Sequence, residues 1–281
     1  MASVHSPLRK FIKPFLFKVL GVSGYKIVQC RAKLRDIKFR LVEEKEMELL
    51  DHLVKEGDTV MDLGANYAYY SERLSKIVKS QGKVIAFEPI PFTYDVCKMI
   101  VKKLDLKNIK LYPYAAGVKD EILEFRVPKL DFGAISAGQS HLAKRNNEMK
   151  GKENYYTFNQ SDIVKCECKN LDNFLFTELK KLSFIKIDIE GAEYYALQGL
   201  KKVINKFNPV ILVEIQPFFL KGMGILEDDL VHLIKNELDY LIYYYNQDRK
   251  KLQLVETNLW DDNFLLIPKS KKSNLETLIT E

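Results

Sequence analysis

Carboxylates recur at one kind of place along this chain, where a short apolar run gives way to a turn. "TVMDL" delivers Asp62, "KVIAFEP" delivers Glu88, "FIKIDIE" delivers Asp188 and Glu190, and "PVILVEI" delivers Glu214. If those runs are neighbouring strands, the acids collect on one edge of a sheet. There they repel one another, and burial raises the cost further. Such a rim makes sense against a cation, or against a ligand rich in hydroxyl donors. Open α/β sheets bind ligands outside the carboxyl ends of their strands, where the strand order reverses.

The first turn narrows the ligand. After Asp62 the chain reads Leu63-Gly64-Ala65-Asn66-Tyr67-Ala68. A dinucleotide site needs G-x-G-x-x-G so that backbone can approach a pyrophosphate at a helix N-terminus. The second and third glycines are absent, which argues against an oxidoreductase. S-adenosyl-L-methionine carries no phosphate, but a sulfonium, an ammonium, a carboxylate and a ribose diol. Gly64 is expected to let the methionine portion approach, with amides from Asn66 onward binding its carboxylate. Asp62 suits the positively charged end, and Glu88 is placed to accept both ribose hydroxyls.

Positioning these residues takes strand-then-helix units in series. "TVMDL" precedes "YYSERLSKIVKSQ", "KVIAFEP" precedes "FTYDVCKMIVKKLDL", "FIKIDIE" precedes "YYALQGLKKVINKF", and "PVILVEI" precedes "EDDLVHLIKNEL". The pattern predicts an α/β fold: a doubly wound, mostly parallel sheet with helices on both faces. "VEEKEMELLDHLVKEGD" has helical spacing up to Gly57. An insert at about 117–170 reads as a hairpin, a polar Gly/Ser segment and a further strand, the long polar part being an active-site lid or a mobile insert. "YLIYYYNQDRKKLQLVE" and "NFLLIP" read as further strands with "NQDRKK" as a turn. The expected organisation is an N-terminal helical, basic extension at 1–42, a catalytic domain at 43–268 and a polar tail at 269–281.

Several blocks together resemble the FkbM-type methyltransferases, within the class I, Rossmann-like group. They are "GDTVMDLGANYAYYSERLSK", "GKVIAFEPIPFTYDVC", "LDNFL", "FIKIDIEGAEYYALQGL" and "NPVILVEIQP". The resemblance covers about residues 43–268 with its blocks in order, and "FEP.P" and "KIDIEGAE" are the specific ones. It implies S-adenosyl-L-methionine as cofactor and methyl transfer to a hydroxyl oxygen, on a sugar, glycan or secondary metabolite. It also implies a seven-stranded sheet whose last strand is antiparallel. The cofactor site is expected to comprise Asp62, Gly64, Ala65, Asn66, Tyr70, Glu88, Pro89 and Asp188. Members of the family usually have a second glycine where this chain has Ala68. That position is expected to start a helix with helical φ, so alanine there should cost only a few tenths of a kcal/mol.

Methyl transfer is an in-line displacement helped by holding its partners in line, and a sugar hydroxyl profits from a general base. Asp188 is the candidate for contact with cofactor or acceptor hydroxyl, and Glu190 for the base or its support. Both are weighed against simple capping of the next helix. His141, in the polar segment, is a further candidate base if a lid carries it to the acceptor. His52 and His232 lie in helical patterns and His5 in the N-terminal tail. Glu214 faces the acceptor or joins Asp188 on a divalent ion, but no ligand cluster is legible and no metal is expected.

The 281 residues carry a net charge of +6, with 47% apolar and 29% charged content. That is the composition of a soluble globular chain. Lysines in "KKLDLKNIK" and "NQDRKK" raise the rival of an RNA methyltransferase, but they read as solvated helix and turn positions. A cofactor-binding relic without activity is the other rival, opposed by intact acids at four strand ends. Cys30, Cys97, Cys166 and Cys168 read as reduced thiols. No run approaches the ~18 apolar residues that span a bilayer, and a cytoplasmic location is expected. "SPLRKFIKPFLFKVLGVSGYKIV" reads first as a packed helix. Its alternative is a basic amphipathic helix in weak peripheral contact with the inner face of a membrane.

Overall fold

The computed structural model describes residues 7–129, 135, 137–146, 160–256 and 258–279, with backbone alone for 7–14 and 137. His5, the last two residues and much of the polar part of the insert lie outside them. The helices are α1 (Pro7–Lys38), α2 (Leu50–Leu53), α3 (Tyr69–Val78), α4 (Pro91–Lys103), α5 (Leu171–Leu175), α6 (Glu193–Gly199), α7 (Lys201–Phe207), α8 (Pro217–Gly222) and α9 (Glu227–His232). The strands are β1 (Thr59–Leu63), β2 (Lys83–Phe87), β3 (Ile109–Tyr112), β4 (Ala115–Gly117), β5 (Glu121–Lys129), β6 (His141–Leu142), β7 (Gln160–Asn170), β8 (Phe184–Ile187), β9 (Val210–Ile215), β10 (Tyr240–Asn246), β11 (Lys251–Leu254) and β12 (Asp262–Pro268).

The main sheet runs β11-β10-β12-β9-β8-β1-β2-β3. From β3 to β9 the neighbours are parallel, and β12 lies antiparallel between β9 and β10. These seven strands are the expected set; β11 adds an eighth by hairpin onto β10. Val, Ile, Leu and Phe fill the central strands because both sheet faces are covered. Met61, Leu63, Ile185, Ile187 and Val213 face α5, α6 and α7, whereas Val60, Val84, Phe184 and Leu212 face α2 and α3. Fully burying each such side chain is worth about 1.5–3 kcal/mol. Caps set the register of the helices: Pro91 opens α4, and the Asn170 side chain accepts the Asn173 amide at 2.9 Å. The Asp172 carboxylate takes the Lys202 and Val203 amides at 2.8 Å each, anchoring the start of α7.

Three expectations change. The insert is more than the expected hairpin and further strand. Its described part forms a second sheet, β4-β7-β5-β6, whose Phe125, Val127, Leu142, Cys166 and Cys168 pack on Ile90 and Ala192. Nine paired positions between β5 and β7 fix that sheet. The pattern before Gly57 becomes a 3-10 helix, Lys45–Leu49, followed by the single turn α2. Residues 269–278 likewise form a 3-10 helix that returns to β11, with the Lys251 ammonium on the Thr277 carbonyl at 2.6 Å.

Helix α1 breaks at Gly21, where φ is +60° and ψ −172°. Beyond the break it packs on α4, with the Tyr25 ring 6.4 Å from Phe92 and Lys26 paired to Asp95. Around the break Phe15, Val19 and Val22 are exposed. Among the described residues no helix is long and apolar enough to cross a membrane.

Candidate functional site

Strand order reverses between β1 and β8, and two connected hollows open there. The larger, about 280 Å³, has apolar walls from Ile90, Leu123, Phe125 and Leu142 and the carboxyls of Glu88, Asp188, Glu190 and Glu214. The smaller, about 180 Å³, is lined by Glu44, Asp62, Tyr70, Lys186 and Asp188, with Ala65 beside them. Gly64, Asn66 and Asp188 border both. Pro89 lines the larger hollow. Every expected cofactor residue therefore borders one hollow or the other.

Gly64 is required by the fold. Its φ is +84°, and a Cβ there would lie 1.9 Å from the Asp188 carbonyl oxygen. The amides of Gly64 and Ala65 both donate to the Phe87 carbonyl, at 3.0 and 2.9 Å, stitching the turn to β2. Asn66 donates its amide to Glu88 Oε2 at 3.0 Å. It is therefore not the free anion-binding amide expected; the first-turn amides of α3 are the ones without helical partners. Ala68 also departs from expectation. Its φ is +64° and ψ +23°, left-handed rather than helical, a conformation that costs a non-glycine residue about 1–2 kcal/mol.

Glu88 is buried, and its two oxygens accept the Asn66 and Ile90 amides at 3.0 Å each. Burial pushes its carboxyl up to about 7, with those amides opposing. Each oxygen keeps a further lone pair. Asp62 lies within β1 rather than past its end and accepts the Ser71 hydroxyl. Burial pushes it up to about 6, against the Ser71 hydroxyl and the Lys186 charge. Glu214 is pushed up to about 9, first by burial and then by the charge of Asp188. Gln216 donates to its Oε1 at 2.9 Å.

Glu190 follows β8 in left-handed backbone, φ +57°. Burial and the neighbouring Asp188 raise it to about 8, with Arg145 opposing. Arg145 is buried, donates to the Glu190 carbonyl at 2.6 Å and lies 3.8 Å from the Phe219 ring centre. Glu193 braces the same turn, accepting the Gly191 amide at 3.0 Å and that of Ile189 at 3.3 Å. His141 is corrected: it is no lid residue but lies in β6 opposite Arg126, buried, with Nδ1 2.9 Å from the Gln139 carbonyl. Burial and the Arg145 charge lower it to about 4. It is not among the residues lining either hollow, although Ser140 and Leu142 beside it line the larger one.

Sequence reading missed Lys186, Glu44, Arg145 and Ser140. Lys186 was visible as a lone lysine in an otherwise apolar strand; Glu44 lies at the start of the segment read as a helix, and Ser140 and Arg145 lie in a polar segment with no periodic signal. Among the described residues no group of His, Cys, Asp and Glu is arranged for a metal ion.

The fold and the acid-lined switch point define a class I, Rossmann-like methyltransferase. Residues 62–243 match the family model described as a methyltransferase FkbM domain. The chain belongs to that family, whose members are S-adenosylmethionine-dependent methyltransferases. It is 25% identical over 149 residues to Methyltransferase 1 of Beauveria bassiana, covering 50% of this chain and 57% of that protein. It is 23% identical over 199 residues to the hexuronic acid methyltransferase AglP of Haloferax volcanii, covering 71% and 73%. Among solved structures, an FkbM methyltransferase from Methylobacillus flagellatus KT aligns at 16% identity and TM-score 0.44, covering 85% of this chain and 59% of the other.

Proposed function

We propose that this protein transfers the methyl group of S-adenosylmethionine to a hydroxyl oxygen of a sugar. The observation that carries the reading is a set of buried polar atoms without hydrogen-bond partners. Asn66 Oδ1 and Ser140 Oγ are buried, have no hydrogen-bond partner and belong to residues lining the larger hollow, while Glu190 Oε2 in the same lining has the Arg145 guanidinium at 3.7 Å and no hydrogen bond. Buried polar atoms are rarely left so, and a polar ligand satisfies them.

The residues present fit that cofactor. Glu88 holds free lone pairs for a ribose diol, and apolar walls beside it suit a flat base. Asp188 stands where the two hollows meet and Asp62 in the smaller one, both carboxyls suited to the cofactor's cationic end. When bound, S-adenosylmethionine supplies an electrophilic methyl group on a sulfonium. Asp188 borders both hollows and is the carboxylate placed to receive the acceptor hydroxyl's proton. Glu190, raised to about 8, orients that hydroxyl or takes the proton in its place once ionised. The kind of acceptor is supported by the Haloferax relative, whose name specifies a hexuronic acid.

The test is labelled methyl transfer to sugars with and without a carboxylate, followed by mild alkali. An alkali-stable label marks an ether at a hydroxyl; a label released by alkali marks a methyl ester and overturns the hydroxyl assignment. Asp188→Asn is expected to lose about 100-fold or more in turnover, the scale of general-base catalysis.

A further inference from the structure

Strand β8 has the sequence FIKI with all four residues buried, and one of the four is a lysine. Burying an ammonium costs several kcal/mol unless it is paired and hydrogen-bonded, so Lys186 needs a reason. Its surroundings supply one. From β1, Asp62 stands opposite it in register. Beyond the end of β8, Asp188 Oδ2 is 3.7 Å from its Nζ. From β12, Asn263 Oδ1 accepts from it at 3.2 Å. From α3, the Tyr70 ring centre lies 4.9 Å away, and the Tyr70 hydroxyl donates to Glu44 at 2.7 Å. Glu214 of β9 and Glu44 also act on it electrostatically. The neighbouring cation, Lys45, is turned to Asp262 at 2.8 Å and Glu46 at 3.6 Å.

Four carboxyls thus face one buried ammonium. Burial works against the Lys186 charge, yet Asp188, Glu44, Glu214 and Asp62 outweigh it and raise its proton affinity. The reciprocal effect is that Lys186 draws Asp62 and Glu214 back toward their charged forms. We propose that Lys186 is a positioning residue for the cofactor: its ammonium is the fixed countercharge that holds the crevice carboxyls together and aimed at the donor's cation. This rests on the reading of the crevice as the S-adenosylmethionine site. Lys186 neutralises part of the acid cluster and leaves an excess of negative charge for the ligand.

The test is calorimetric titration of S-adenosylmethionine and S-adenosylhomocysteine from pH 6 to 9, in buffers of different ionisation enthalpy. The proteins are wild type, Lys186→Met and Lys186→Arg. Lys186→Met is expected to bind about tenfold more weakly at pH 7, to recover toward pH 9, and to release more protons per ligand bound. That corresponds to a shift of about one unit in the titrating acids. Lys186→Arg is expected to keep the wild-type profile, and it carries the test if Lys186→Met does not fold. An alkaline shift in Lys186→Arg would overturn the proposal. So would a loss in Lys186→Met that is equal at every pH without extra proton release, since a merely structural lysine behaves that way. Tighter binding by Lys186→Met would overturn it too, by showing that the ammonium repels the ligand. Failure of the wild type to bind either nucleoside at any pH would instead sink the cofactor reading itself.

Discussion

Ala68 shows how one residue is judged by its backbone. It is fully buried with φ +64°, and two opposed effects decide what glycine would do there. Removing a buried methyl costs about 0.8 kcal/mol, and glycine's extra freedom in the unfolded chain costs about 0.4–1 kcal/mol. Relief from left-handed backbone returns about 1–2 kcal/mol. Ala68→Gly is therefore expected to leave stability within about 1 kcal/mol of wild type in urea unfolding. A helical Ala68 would lose closer to 2 kcal/mol, and that result would refute the left-handed assignment. Asp62, Glu88 and Asp188 were legible in the sequence because a carboxylate after an apolar run is a local pattern. The Ala68 conformation was not legible, because the tight turn is imposed by its amide bonding to the Ala65 carbonyl at 2.7 Å and by the packing around it.

At the scale of elements, the segment that follows β6 ties the second sheet to the site. Arg145 holds the Glu190 carbonyl and stacks on Phe219 of α8, and the next residue, Asn146, donates its amide to the Gly222 carbonyl at 2.8 Å. Truncating Arg145 strands a buried carbonyl and removes a stacked cation. Arg145→Ala is expected to cost about 3 kcal/mol. Faster hydrogen exchange should concentrate in residues 137–146 and 189–191. Uniform acceleration across the main sheet would show instead that Arg145 supports the whole fold rather than this junction. The strands of the insert were partly readable as "EILEFRV" and "DIVKCECKNL". Their partnership was not: β4 pairs with β7 across some fifty residues, and a local window cannot see such a pair.

For the whole molecule, the carboxyl cluster dictates how stability responds to pH. Asp62, Glu88, Glu190 and Glu214 are raised to about 6, 7, 8 and 9, above the roughly 4 of an unfolded carboxyl. The folded chain therefore holds protons that the unfolded chain has released, and stability falls as pH rises through that range. His141, lowered to about 4, has the opposite sign, but its contribution ends near pH 6.5, the unfolded histidine value. From pH 6.5 to 9 the carboxyls act alone among these groups. The ligand-free protein is expected to melt at a lower temperature at pH 9 than at 6.5 by differential scanning calorimetry, with added S-adenosylmethionine narrowing the gap. A melting temperature that is flat or rising over that interval would contradict the buried-acid description.

By itself, the sequence determined the alternation of strands and helices, the acids at the strand ends and the turn too poor in glycine for a pyrophosphate. All are local, since apolar periodicity and turn chemistry act over a few residues. Tertiary structure alone decided that Lys186 meets Asp62, Asp188 and Glu214, and that Glu88 spends two acceptor sites on the amides of Asn66 and Ile90. It also decided that His141 is buried away from the hollows and that a second sheet walls the larger one. Those outcomes depend on which strands lie side by side, and burial and charge act through space between residues far apart in the chain.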